Sequence, residues 1–231
     1  MSWVISVGGQ KGGTGKSTIA RGLAVEAVRH GSLVILADMD LAQQSSLRWA
    51  ARRKIAGVLP RIDVRVLGTV GGIEQLKRLC NLLVIDTPGR IDKDTVRLAG
   101  TSDLLVICTG TNADELEPAV LLARELKAAG IEASHLAIAL NKVVDERHER
   151  EARAYLSKAG LEALPVALRF HPMTQDIGND GRAVTETRFK AVAEPAKNFF
   201  ECIVTALGKA HQQEVAQEGD HVAAKDQGRD R

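Results

Sequence analysis

A chain of 231 residues with 45% hydrophobic content is long enough to bury one sizeable core. Aromatic residues make up only 3%, so that core must be built from Ala, Val, Leu and Ile. The formal net charge of +2 supplies no global attraction to nucleic acid, so any DNA contact has to come from a local patch. Cys80, Cys108 and Cys202 are odd in number and widely spaced, with no CxxC pair and no zinc-ligand spacing. Cys80 and Cys108 sit at or in apolar runs and read as buried free thiols, the state a reducing cytosol favours. No stretch approaches the roughly 18 apolar residues of a membrane span. The chain opens directly into an apolar strand with no signal-peptide pattern, which reads as a cytoplasmic protein.

The first element is the run Trp3-Val4-Ile5-Ser6-Val7, a buried strand. A Gly-rich stretch follows, from Gly8 to Thr18, and then Ile19 to Val28 carries apolar residues at helical spacing. A Gly-rich connection between a strand and a helix is the setting of a phosphate-binding loop. Glycines let several backbone N–H groups converge on one oxyanion, and the helix presents its positive end to the same anion. Lys16 would reach the β- and γ-phosphates, and the Ser17 hydroxyl would ligate Mg²⁺. Gln10 occupies the place of the first glycine in the general P-loop pattern.

Further strands are expected at Val34–Ala37, Ile62–Leu67, Leu82–Ile85, Leu104–Cys108 and Leu136–Leu140, with a weaker run at Leu164–Leu168. The alternation of Ile62–Leu67 places it near an edge, and the continuous run Leu82–Ile85 places that strand in the interior. Helices are expected at about 43–55, 72–80, 114–129, 145–159 and 195–208, with Gly130 and Gly160 as C-cap glycines. This βαβ alternation predicts an α/β fold, a mostly parallel twisted sheet with helices on both faces. In such sheets ligands bind beyond the carboxyl ends of the strands. Residues 1–208 form the expected domain, and the polar tail 209–231 reads as disordered.

Two acidic positions follow strand ends: Asp38-Met39-Asp40 and Asp86, the latter leading into Thr87-Pro88-Gly89-Arg90. A carboxylate there can hold Mg²⁺ directly or through water, or orient an attacking water. Asp38 and Asp40 also suit simple loop capping.

Lys11-Gly12-Gly13-Thr14-Gly15-Lys16-Ser17-Thr18 resembles the deviant Walker A motif, K-G-G-x-G-K-[ST], of the ParA/MinD family of ATPases. The resemblance spans roughly residues 3 to 208 and is strongest before 90. It implies the P-loop NTPase (deviant Walker) fold, ATP and Mg²⁺ as cofactors, and hydrolysis of ATP to ADP and phosphate. It also implies that Lys11 is a signature lysine, crossing to the nucleotide of the other subunit in an ATP-bound homodimer. Lys11, Lys16, Asp40 and Asp86 then become the expected catalytic residues. Residues 11–18 become the expected nucleotide cradle, and Ser17, Asp40 and Asp86 the expected metal donors. In the family's first switch the pattern is D-x-D-P-Q; here Leu41-Ala42-Gln43 stands in place of Pro-Gln. Ser45 to Ala50 resembles the S-L-x-x-W-A of short ParA proteins. Asn141, at the end of a strand, is placed where the family contacts adenine, although a turn-forming Asn is equally consistent with the sequence. Arg169 lies where the family carries an arginine beside the base.

Three functional readings compete. A ParA-type partition ATPase would bind double-stranded DNA without sequence preference as an ATP dimer, be associated with the nucleoid, and be stimulated by a ParB-like or other small partner. Arg182, Arg188, Lys190 and Lys197 are the candidate DNA contacts, all to phosphates and therefore salt-sensitive. A MinD-like membrane-cycling ATPase needs a C-terminal amphipathic helix with a basic face, which residues 209–231 do not read as. A metabolic or metal-delivery P-loop enzyme of the family needs paired cysteines, which the chain lacks.

Overall fold

In the computed structural model, residues 2–89 and 94–227 are described. The strands are β1 (Trp3–Gly8), β2 (Val34–Asp38), β3 (Asp63–Val66), β4 (Leu82–Asp86), β5 (Leu104–Thr109), β6 (Leu136–Val143) and β7 (Leu168–Arg169). The helices are α1 (Lys16–Arg29), α2 (Ser45–Ile55), α3 (Ile73–Lys77), α4 (Asp94–Thr101), α5 (Ala113–Ala128), α6 (Glu146–Lys158), α7 (Met173–Asn179) and α8 (Lys190–Gln227). The strands form one sheet in the order β3-β2-β4-β1-β5-β6-β7, and every pairing is parallel. β3 is an edge strand and β4 an interior one, as their hydrophobic patterns predict.

Both faces are covered. Ile5, Val7, Leu36, Val84 and Val106 pack against Ile19 and Leu23 of α1, Trp49 of α2, and Phe199, Phe200 and Ile203 of α8. On the opposite face Leu105, Ile107, Ile138 and Leu140 meet α5 and α6, while Val4, Ile35, Leu83 and Ile85 meet Ile73 of α3 and Leu98 of α4. α1 and α8 approach closely because residue 22 is glycine: a Cβ there would overlap the Phe200 ring.

The register fixes where chemistry can occur. Asp38 pairs with Asp86 between β2 and β4, and Val7 pairs with Asp86 between β1 and β4. Both carboxylates therefore end their strands at the same level, beside the loop that leaves β1.

The structure departs from the sequence expectations in four places. Leu164–Leu168 is not a strand; Ala163 makes a single bridge to Ile138, and pairing resumes as the two-residue β7, because Pro165 has no N–H to offer a ladder. The helix expected at 72–80 contracts to a 3-10 turn at Val70–Gly72 followed by α3. α4 and α7 are additional short helices. The last helix begins at Lys190 rather than near 195 and does not end near 208. It continues to Gln227, so residues 209–227 are helical rather than formless; Ala, Gln, Glu and Lys, which dominate that stretch, are good helix formers. The final four residues of the expected tail, and Arg90, lie outside the described residues. Gly130 and Gly160 have φ of +89° and +72° just after α5 and α6, as C-cap glycines require.

Candidate functional site

The loop between β1 and α1 is held from behind by side chains. The Thr14 carbonyl accepts from Asn141 Nδ2 at 2.6 Å and from Cys108 Sγ at 3.0 Å, and the Gly13 carbonyl accepts from Lys142 Nζ. Gly15 has φ of +93°, and a Cβ on it would collide with the Asn141 amide, so both its backbone and its neighbour demand glycine. α1 then starts at Lys16 with no side chain capping its first turn, which leaves backbone N–H groups to meet an anion. Lys16 is buried, and its Nζ donates to the Lys11 carbonyl at 3.0 Å. Burial pushes its pKa down, while Asp86 and Asp40 pull the other way.

Three carboxylates stand on the adjoining wall, with different duties. Asp38 is buried and accepts from the backbone N–H groups of Ser46 (2.8 Å), Leu47 (3.1 Å) and Asp40 (3.1 Å), so it caps the start of α2. Asp40 is half-buried in the cleft and accepts from the Gln43 N–H at 2.9 Å. Asp86 is buried and accepts from Ser17 Oγ at 3.1 Å and Ser46 Oγ at 2.6 Å. Burial raises its pKa; the two hydroxyls and Arg21 oppose that rise.

Beside them a cleft of about 640 Å³ runs from Gly12, Gly13 and Gly15–Thr18, past Asp40 and Thr87, to Asn141, Lys142 and Arg169–Phe170; Asp86 stands behind its wall, linked to it through Ser17. Its size and its polar floor suit a nucleotide. The structure thus brings together Lys16, Ser17, Asp40, Asp86, Asn141 and Arg169. Asn141 faces the loop backbone with its amide nitrogen, and Arg169 is ion-paired with Glu149 at 2.9 Å. Lys11 is exposed at the rim, and its Nζ reaches the Asp114 carbonyl at 3.4 Å, away from the cleft. The donor set fits Mg²⁺: a hydroxyl and a carboxylate already in contact leave room for phosphate and water ligands. Among the described residues no group of three or more His, Cys, Asp or Glu forms a protein-only metal cluster, and Mg²⁺ needs none.

The basic candidates are more dispersed. Arg182 and Arg188 are exposed on the segment between α7 and α8, and the Arg182 carbonyl accepts from Trp49 Nε1 at 3.1 Å. Lys190 is exposed at the start of α8, whereas Lys197 pairs with Glu194 at 2.9 Å and borders a separate groove between α1 and α8. Sequence reasoning missed Arg21, Ser46 and Lys142, which contact the site. A lone arginine one helical turn after Ser17 was the available signal for the first.

Comparison with known proteins now decides the family. The CobQ/CobB/MinD/ParA nucleotide-binding domain matches residues 5–177, which is most of the chain. The chain belongs to the CobQ/CobB/MinD/ParA family. Solved structures of similar fold include apo McdA from Cyanothece, with TM-score 0.70 and 13% identity, covering 88% of this chain and 100% of that one. MinD from Pyrococcus horikoshii, complexed with Mg-ADP, has TM-score 0.63 and 19% identity, covering 87% and 94%. A ParA family ATPase from Chlorobium tepidum has TM-score 0.64 and 16% identity, covering 86% and 97%. At these identities the likeness establishes the shared fold. No curated protein matches the chain by sequence. Among the described residues no helix is long and apolar enough to cross a membrane.

Proposed function

We propose that this member of the CobQ/CobB/MinD/ParA family is a ParA-type ATPase. It binds ATP with Mg²⁺, dimerises around it, holds double-stranded DNA without sequence preference, and hydrolyses ATP when a small partner stimulates it. The cargo moved by such a cycle is a plasmid, a chromosome region or a protein assembly. The observation that carries the reading is the split between two lysines. Lys16 is buried in the cleft, while Lys11, five residues earlier in the same loop, is exposed and turned away from it. A lysine so placed serves a second subunit better than its own.

Hydrolysis by this arrangement is positioning and charge neutralisation, with no covalent nucleophile. The Gly12–Thr18 backbone holds the phosphates, and Lys16 exchanges the Lys11 carbonyl for phosphate oxygens. Ser17 and Asp86 would hold Mg²⁺, and Asp40, which lines the same cleft, would complete the metal donors or orient the attacking water. Such an ion would supply neutralisation of the negative charge that builds on the phosphates. Asn141 and Arg169, which line the same cleft, would meet the base. DNA contact through Arg182, Arg188, Lys190 and Lys197 belongs to the same proposal.

The test is the oligomeric state by light scattering with ATP, with ADP and with no nucleotide. The parent should dimerise only with ATP, and Lys11→Ala should bind nucleotide yet stay monomeric. A Lys11→Ala variant that dimerises and turns over like the parent overturns the reading. Cosedimentation with anionic vesicles, dependent on ATP and independent of DNA, would favour a MinD-like cycle instead.

A further inference from the structure

Arg21 lies on α1 one turn beyond Ser17, in a helix whose neighbouring positions are apolar. Its side chain reaches the cleft wall rather than solvent. Nε donates to Ser46 Oγ at 3.1 Å, and that hydroxyl lies 2.6 Å from Asp86 Oδ2. Arginine has no acceptor and no loosely held proton. Ser46 must therefore accept from Arg21 and give its single proton to Asp86. The backbone N–H of the same serine goes to Asp38. One residue in the first turn of α2 thus touches both strand-end carboxylates, and Arg21 fixes the direction of its hydroxyl. The guanidinium also lies 5.7 Å from the centre of the Trp49 ring, with Arg53 at 5.3 Å.

A buried cation one hydroxyl away from Asp86, with Asp38 on the backbone of the same serine, has electrostatic consequences. Burial lowers the Arg21 pKa to about 10, and Asp86 opposes that fall ahead of Asp38. At neutral pH the side chain stays charged. In this low-dielectric corner it attracts the same carboxylate that a divalent cation needs.

We propose that Arg21 is a positioning residue that sets the affinity of the site for Mg²⁺ by competing with it for Asp86, and that it aims Ser46 so that the start of α2 follows the metal. This rests on the ATPase reading above. Two parts of the side chain do separate jobs: the charge weakens metal binding, and the planar Nε–H holds Ser46.

The experiment titrates Mg²⁺ against a fixed concentration of a fluorescent ATP analogue, in the full-length parent, Arg21→Gln and Arg21→Lys. Removal of the charge should lower the Mg²⁺ half-saturation about tenfold. Arg21→Lys keeps the charge and should stay within about twofold of the parent, while losing stimulated turnover because Ser46 is no longer aimed. Trp49 fluorescence in a Trp3→Phe background reads α2 directly: the parent signal should change on adding Mg²⁺ to the nucleotide complex, and Arg21→Lys should blunt that change. If Arg21→Gln folds poorly, Arg21→Met keeps the apolar stem against Trp49 and carries the same expectation. An Arg21→Gln or Arg21→Met half-saturation equal to or weaker than the parent's would show that Arg21 only packs. A parent that fails to bind the nucleotide with Mg²⁺ at all would instead remove the ATPase reading itself.

Discussion

Cys108 shows how much a single buried group can report. Its thiol is 2% exposed, donates to the loop carbonyl of Thr14, and has a pKa pushed up to about 12 by burial. The sign of its pH effect follows. In the unfolded chain the thiol ionises near its ordinary value, about 8.5, while in the fold it holds its proton. The unfolded state then binds fewer protons, so this contribution is complete below that value and is lost as pH rises towards 12. Urea midpoints measured from pH 8 upward should fall, and Cys108→Ser should flatten part of the decline. Iodoacetamide at pH 8 should label the half-buried Cys202 first and leave Cys108 untouched until denaturant is added. Legibility at this scale was uneven. Lys16, Ser17 and Asp86 were readable because a phosphate loop and a strand-end acid have fixed local spacing. Ser46 and Arg21 were not, because their meeting depends on β2 and β4 being in register and on α1 lying beside α2, neither of which a linear spacing encodes. Asp38 could be read as a cap or as a metal donor, and three backbone donors on its carboxylate resolve it as a cap.

Elements are joined here by contacts that leave little slack. Gly22 on α1 sits beneath Phe200 on α8, so Gly22→Ala should destabilise by about 1–3 kcal/mol through overpacking, even though alanine favours helices. A melting curve checks this, and Phe200→Leu in the same chain should recover part of the loss. A second joint is ionic. The side chains of Arg53 on α2 and Glu186, on the segment before α8, are each 2% exposed and meet at 2.8 Å, and Arg53 also donates to the Pro60 carbonyl. Glu186→Gln leaves a buried guanidinium without its counter-charge and should cost about 3–5 kcal/mol, a loss visible as a lowered urea midpoint. The strands were legible because parallel interior strands are continuous apolar runs of simple length. Helix ends were less so: α8 keeps good helix formers long after its apolar face stops, and burial pattern alone therefore marked the wrong terminus.

For the molecule as a whole, the modest net charge limits where the proposed DNA contact could lie. With only +2 overall, retention on the proposed reading would depend on a local group of arginines and lysines near the start of α8. Each phosphate neutralised contributes about 0.9 to the slope of log affinity against log salt. Changing Arg182, Arg188, Lys190 and Lys197 together to Ala should make that slope shallower and weaken ATP-dependent retention, with nucleotide binding unaltered. Filter binding between about 50 and 200 mM salt reads both; an unchanged slope would place the contact elsewhere on the surface. A mostly parallel sheet, the edge place of β3 and the interior place of β4 were visible from the βαβ alternation and the apolar runs; the strand order β3-β2-β4-β1-β5-β6-β7 was not, because linear alternation does not say which strands are neighbours.

The 38-residue α8 has a practical consequence. Among its described side chains the last deeply buried one is Ala210, and at ~1.5 Å per residue the helix carries on for roughly 25 Å more. A small fluorophore placed on this outer part of α8 would ride on a stalk, clear of the cleft, where it could report the molecule's motion without touching Lys16 or Ser17.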